Sequence, residues 1–222
     1  MNRESLYMNV KKIAQCLFDR HSDLQKIKET FEFAFDKLVN AVIAGGKILV
    51  CGNGGSAADA EHIVGELMKG FLLKRELRQE DIQDMQVSIH DKDIIACLQR
   101  AIPAISLSSQ LALLTAVSND VSADMIYAQQ VYGYAKPNDI LIGLSTSGNS
   151  KNVVNAVRVA NMIGIDSICI TGAGPNELSK LSTLCICLPF VETYRVQEFT
   201  IPVYHTLCAM LEAFFFDKEG NK

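Results

Sequence analysis

The chain has 222 residues, 49% of them apolar and 21% charged, which is the balance of a globular protein able to bury one substantial core. A net charge of −4 argues against a nucleic-acid partner. No apolar run has the length of a membrane span or the shape of a secretory leader, so the expectation is a cytoplasmic protein with no membrane association. Apolar residues recur at helical spacing over Leu6 to Phe18 and over Asp23 to Ala44, where Leu24, Ile27, Phe31, Phe35, Leu38 and Val42 trace one stripe that Gly45-Gly46 ends. Residues 1–44 thus predict an N-terminal helical hairpin. Short apolar runs at 47–51, 103–107, 139–144, 166–170 and 183–188 alternate with helical stretches at 57–69, 109–116, 123–134, 150–163 and 175–181. That alternation predicts an α/β fold, a five-stranded parallel sheet with helices on both faces, as one domain over 1–222. The charged stretch 74–100 breaks the rhythm and predicts one or two short amphipathic helices, inserted as a surface excursion, a subunit contact or a lid. A long apolar helix over 193–217 closes the chain; Phe214, Phe215 and Phe216 cannot all face one core, so part of it is expected to pack on another subunit.

Two Gly/Ser-rich loops carry the functional signal. Cys51-Gly52-Asn53-Gly54-Gly55-Ser56 follows the first strand, and Ser145-Thr146-Ser147-Gly148-Asn149-Ser150 follows the third; each opens a helix. A buried strand that turns on small residues into a helix presents backbone N–H groups at the positive end of the helix dipole, which is an anion site. Serine and threonine hydroxyls add uncharged donors, so the pair of loops predicts phosphate binding. Seven cysteines without a Cys-x-x-Cys pair are expected as buried free thiols. Cys185 and Cys187 fall on one sheet face, and are read as core rather than as a soft-metal site. His62 and Glu66 are four apart on the helix after the first loop; Gln197 and His205 share the last helix. His21 and His90 sit in charged surroundings and are expected to face solvent.

Four blocks together resemble the phosphoheptose isomerases, a branch of the sugar isomerase (SIS) domain proteins: GNGGSAADAEHIVGEL from Gly52 to Leu67, LSTSGNS from Leu144 to Ser150, Asn119-Asp120, and RVQEFTIPVYH from Arg195 to His205. The resemblance runs from about Gly45 to the C-terminus, and the N-terminal helices suit it. It implies a flavodoxin-like sheet, a homotetramer with active sites at subunit interfaces, and interconversion of sedoheptulose 7-phosphate, a phosphorylated seven-carbon sugar, with D-glycero-D-manno-heptose 7-phosphate as the first step of bacterial heptose biosynthesis. By the same resemblance Ser56, Ser145, Thr146, Ser147 and Ser150 hold the phosphate, Asn53 and Asp120 contact the sugar hydroxyls, and Gly54, Gly55, Asn119 and Gln197 complete the substrate-binding set. His62, Glu66, Gln197 and His205 would hold a zinc ion, with Glu66 and His205 as the acid–base pair.

Such chemistry suits these residue types: moving a carbonyl between adjacent carbons needs a base for a carbon-bound proton and a donor for the oxygen. The chain departs from the family pattern at Pro202, at Leu67-Met68-Lys69-Gly70-Phe71 where many relatives have a Gly-Arg-aromatic order, and in the length of the 74–100 insertion. Competing readings are a non-catalytic SIS protein of the kind that associates with replication initiators, and an isomerase or lyase of another sugar phosphate. The acid–base pair at Glu66 and His205 favours an enzyme, because a binding module needs neither.

Overall fold

A computed structural model describes residues 3–83 and 85–217. The sheet has β1 (Ile48–Gly52), β2 (Ala104–Ser106), β3 (Ile140–Leu144), β4 (Asp166–Thr171) and β5 (Leu184–Cys187), all parallel, in the order β2-β1-β3-β4-β5. Full burial of β1 and β3 explains why they read as continuous apolar runs rather than as alternating ones. Their side chains still alternate between two cores. Ile48, Val50, Ile140 and Ile142 face one, Leu49, Cys51 and Leu141 the other.

The first core is closed by α1 (Arg3–Arg20), α2 (Lys28–Ile43), α3 (Gly55–Met68) and α10 (Thr193–Phe216). The second is closed mainly by α7 (Ile126–Tyr134), α8 (Lys151–Ile163) and α9 (Glu177–Leu181), with α6 (Leu111–Asp120) at its margin. The second helix foreseen from Asp23 starts as a 3-10 turn over Ser22–Ile27, because Leu24 and Ile27 must both reach the core before the α-helix begins. The order of strand addition reverses between β1 and β3: β1 leads out to β2 on one side, β3 to β4 on the other. A crevice outside the C-terminal ends of the strands at such a reversal is where open α/β sheets bind ligands.

Three expectations are corrected. The premise that Phe214, Phe215 and Phe216 cannot all face one core fails, for all three pack on the first core, half-buried within this chain: Phe214 packs on Tyr7 and Phe35, Phe215 on Phe214, and Phe216 lies beneath the guanidinium groups of Arg75 and Arg100. Each finds a different neighbour, since α1 and the 74–100 segment wrap the end of α10. Cys16 and Cys97 are exposed rather than buried, while all seven cysteines are free thiols. His21 is half-buried, its ring edge-on to Phe199 at 5.5 Å, because it terminates α1 against α10. Helix α10 passes Pro202 without ending, and the Thr206 hydroxyl donates to the Pro202 carbonyl at 2.7 Å. By length and composition α10 is apolar enough to cross a membrane, yet Val203, Tyr204, Leu207, Cys208, Met210 and Leu211 are buried in the first core.

The 74–100 segment holds two short helices, α4 (Gln79–Ile82) and α5 (Lys92–Cys97), and a 3-10 turn over Ile89–Asp91. Its base is closed by an antiparallel bridge between Glu76 and Gln99 and by a cluster of Arg78, Glu80, Asp81 and Arg100. Gln99 accepts the Gly70 N–H at 2.6 Å and Leu67 accepts that of Ile102 at 2.9 Å, so the segment is docked on the end of α3.

Candidate active site

The two loops meet because their strands are neighbours. Gly52 is in register with Leu144, which places both strand ends at the reversal point. A reciprocal amide pair then joins them: Asn53 Nδ2 donates to Asn152 Oδ1 at 2.8 Å, and Asn152 Nδ2 donates back to Asn53 Oδ1 at 3.0 Å. From the other side the Tyr127 hydroxyl reaches the Gly52 carbonyl and Asn53 Oδ1, and Ser108 Oγ donates to the same Gly52 carbonyl. The first loop is therefore held from three directions.

Gly54 (φ +55°) and Gly148 (φ +65°) put each loop into a conformation that favours glycine. At Gly148 a Cβ would sit 2.2 Å from Asn176, whose buried amide caps α9. Neither Gly54 nor Ser150, the residues entering α3 and α8, gives a side-chain cap. Ser56 and Ala57 N–H turn back on the Asn53 and Gly54 carbonyls and Val153 N–H donates to Asn152 Oδ1, so among the described hydrogen bonds the Gly55, Lys151 and Asn152 amides remain for a ligand. Ser56 and Ser145 are buried beneath the loops, and Ser145 Oγ lies 2.9 Å from Ser150 Oγ. Ser147 accepts the Asn149 N–H at 3.2 Å, and Thr146 is tied to Gly172 through its carbonyl. The residues expected at the phosphate, Ser56 with Ser145, Thr146, Ser147 and Ser150, thus stand on the two loops that flank one crevice, with Asn53, Gly54 and Gly55 beside them.

A second constellation lies further along α3, where it packs against α10. Glu66 is buried; its Oε1 lies 3.1 Å from His62 Nε2 and its Oε2 accepts from Lys69 Nζ at 3.2 Å. His205 Nε2 is 3.4 Å from His62 Nε2, and the Phe71 ring leans on His205 at 5.5 Å. Burial, reinforced by the adjacent His62, holds the His205 pKa below the usual histidine value, with Glu66 acting in opposition. On the far side of His62, the Tyr204 hydroxyl is 3.0 Å from Nδ1 and donates to Asp59 Oδ1 at 3.2 Å. Burial raises the Asp59 carboxyl above its ordinary range against the Tyr204 hydrogen bond, and raises the Tyr204 phenol as well.

Two family models, both described as the SIS domain, match residues 18–94 and 93–216. A phosphoheptose isomerase from Rhodospirillum rubrum is 37% identical over 169 residues, 76% of this chain and 77% of that one. One from Helicobacter pylori (strain Shi470) is 33% identical over 88% of this chain and 89% of its own length. The chain belongs to the phosphoheptose isomerase family of SIS-domain proteins. Among solved structures, a phosphoheptose isomerase from Francisella tularensis superposes with TM-score 0.71 at 25% identity, covering 94% of this chain and 95% of that one. Another from Neisseria gonorrhoeae gives 0.68 at 26% identity and covers 92% of each chain.

Three of the expected zinc ligands, His62, Glu66 and His205, are brought together; Gln197 is not. It lies against Gly55 at the first loop, where a Cβ on that glycine would come within 2.7 Å of Gln197 Nε2. The reason is helical arithmetic: eight residues of α10 separate Gln197 from His205 by about 12 Å along the axis. Gln197 thus stands at the first loop, by the crevice rather than by the histidines. Asn119 and Asp120 end α6 on the surface, where Asn119 Nδ2 donates to Asp120 Oδ1 at 2.8 Å, and no described hydrogen bond links either to the loops. Asp59, Tyr204, Tyr127 and Asn152 were not foreseen. Asp59 stands three residues before His62 on the same helix face, a spacing that could have flagged it.

The donor chemistry of His62, Glu66 and His205 suits zinc, which favours imidazole nitrogen and carboxylate oxygen. Spacings of 3.1 and 3.4 Å from His62 Nε2 are those of neighbouring ligands about a tetrahedral ion with bonds of about 2.1 Å. Among the described residues no three such side chains close around one point, so the set is open within a single chain.

Proposed function

We propose that this chain is a cytoplasmic aldose–ketose isomerase that interconverts sedoheptulose 7-phosphate and D-glycero-D-manno-heptose 7-phosphate. The observation that carries the reading is the buried Glu66, paired with His62 and His205 on the helix that begins at the phosphate loop. Relatives named phosphoheptose isomerase along most of the chain supply the substrate class. The seven free thiols suit a reducing compartment.

In this reading the two helix N-termini and the loop hydroxyls hold the 7-phosphate, and Gln197 and Asn53 meet the sugar near it. Glu66 takes a proton from C1 of the ketose and returns it to C2, passing through the enediolate. His205 moves the accompanying proton between the two oxygens; its lowered pKa keeps a neutral imidazole at the site near pH 7. Lys69, 3.2 Å from Glu66, places a positive charge where the enediolate develops, standing in for the arginine of relatives. His62, Glu66 and His205 would hold zinc, which when bound would polarise the carbonyl and order the site.

A homotetramer belongs to the same proposal. Glu66 is ten residues beyond Ser56, about 15 Å along α3, so a sugar phosphate must stretch to touch both from one chain. Met68 and Leu72 are exposed just after Glu66, and Tyr194 and Ile201 are exposed on α10 ahead of His205, as apolar surface awaiting a second copy would be. The test is isomerisation in deuterated water: sedoheptulose 7-phosphate should yield the aldose with deuterium at C2, and Glu66→Gln should yield neither product nor label. Product without label would remove Glu66 from the proposed role of exchanging base.

A further inference from the structure

Tyr204 is a core residue, 1% exposed, whose hydroxyl emerges between α3 and α10. It has one proton and two neighbours, Asp59 Oδ1 at 3.2 Å and His62 Nδ1 at 3.0 Å. An ionised carboxylate can only accept, so the tyrosine proton goes to Asp59. The hydroxyl oxygen is then left to accept, and the nitrogen facing it must carry the hydrogen. His62 is thereby protonated at Nδ1.

The opposite side of the ring pulls the other way. Glu66 Oε1, 3.1 Å from His62 Nε2, is also an acceptor and would draw the imidazole proton to Nε2. In that tautomer the histidine caps the carboxylate, and both lone pairs needed at the centre are spent on each other. His205 Nε2, 3.4 Å away, would then face an N–H instead of an open lone pair.

We propose that Tyr204, anchored by Asp59, is a positioning residue that fixes the Nδ1-protonated tautomer of His62 and so keeps His62 Nε2 open toward Glu66 and His205. The inference rests on the reading of His62, Glu66 and His205 as the reacting centre, and it adds a relay from α10 to α3 that sets which of their atoms are free. The partner of a ligand histidine's second nitrogen sets ring orientation and basicity, and its loss typically weakens metal binding by about 10–100-fold.

The experiment uses full-length protein with 15N-labelled histidine at about pH 8, where imidazoles are largely neutral. Wild type should show His62 with a pyrrole-type Nδ1 and a pyridine-type Nε2. Tyr204→Phe removes only the hydroxyl and should reverse the two signals. Asp59→Ala frees the tyrosine proton to turn onto Nδ1 and should do the same. Zinc affinity, read by chelator competition without substrate, should fall about 10–100-fold in both variants. Circular dichroism and thermal unfolding establish that each variant is folded. A folded Tyr204→Phe protein whose His62 keeps the wild-type tautomer overturns the proposal, as does a wild type already protonated at Nε2. If the tautomer reverses as expected in a protein that never turns over sedoheptulose 7-phosphate, the isomerase reading fails while the role of Tyr204 stands.

Discussion

The substitution Glu212→Gln tests the packing that supports the site. Glu212 on α10 is 1% exposed at its side chain, and its partner Arg75 is 0% exposed. Oε1 accepts from Phe71 N and Arg75 Nε, both at 2.7 Å; Oε2 accepts from Leu72 N at 2.6 Å and Leu73 N at 3.0 Å. Arg75 Nη1 and Nη2 donate to the carbonyls of Leu67 (2.7 Å) and Glu66 (2.9 Å). Whichever way a glutamine amide turns, its NH2 meets two of those four donors, and the Arg75 charge loses its counterion.

Breaking a buried pair by removing one partner costs about 3–5 kcal/mol, a large fraction of the roughly 5–15 kcal/mol that holds a domain folded. Urea unfolding at one fixed protein concentration should show the midpoint falling by more than about 1 M, for m-values of about 1–3 kcal/mol/M. Turnover should also drop under conditions where the variant stays folded, since the 70–73 turn carries the Phe71 ring that rests on His205. A loss below about 1 kcal/mol would refute the reasoning, because it would mean that the turn satisfies its amides some other way.

Three further outcomes follow from the loops and the thiols. Gly148→Ala forces a side chain into positive φ and within 2.2 Å of Asn176, so phosphosugar binding by calorimetry should be lost, with about 1–3 kcal/mol of strain; unchanged binding would contradict the role given to the second loop. Gly55→Ala meets only the end of the flexible Gln197 side chain at 2.7 Å; the melting temperature should stay close to wild type while kcat/KM falls as Gln197 is displaced. Equal kcat/KM would remove Gln197 from the site. Cys187 Sγ lies 3.6 Å from Cys185 Sγ, and the hydrogen bond the two thiols share holds Cys187 below the ordinary thiol range and raises Cys185. A lowered pKa means thiolate persists to more acidic pH, so alkylation mapped by mass spectrometry should reach half its maximal rate at Cys187 well below pH 8.5; a midpoint at or above that value would contradict the pairing.

The sheet was legible because its strands are short apolar runs bounded by Gly/Ser loops, and the helix-opening loops after β1 and β3 marked the crevice before any geometry was known. His62 and Glu66 were legible for an equally local reason, their spacing on one helix. What the sequence hid is non-local. Arg75 opens a charged stretch and reads as surface, yet its counterion stands 137 residues away on α10. Tyr204 follows the core-facing Val203 and precedes His205, and nothing in that order shows its hydroxyl meeting His62. The distance between Gln197 and His205 was available from helix rise, but resemblance had grouped them as one ligand set. Phe214, Phe215 and Phe216 read as excess apolar surface because the segments that cover them, around Tyr7 and Arg100, lie far away in sequence.

The most direct test of the central claim is the rate of sedoheptulose 7-phosphate isomerisation by the purified chain, with and without added zinc, beside Glu66→Gln. The account predicts formation of the aldose by wild type and none by Glu66→Gln, with phosphosugar binding retained in both. Wild-type protein that is folded and binds the sugar phosphate yet forms no product under either metal condition would contradict it, as would full activity in Glu66→Gln.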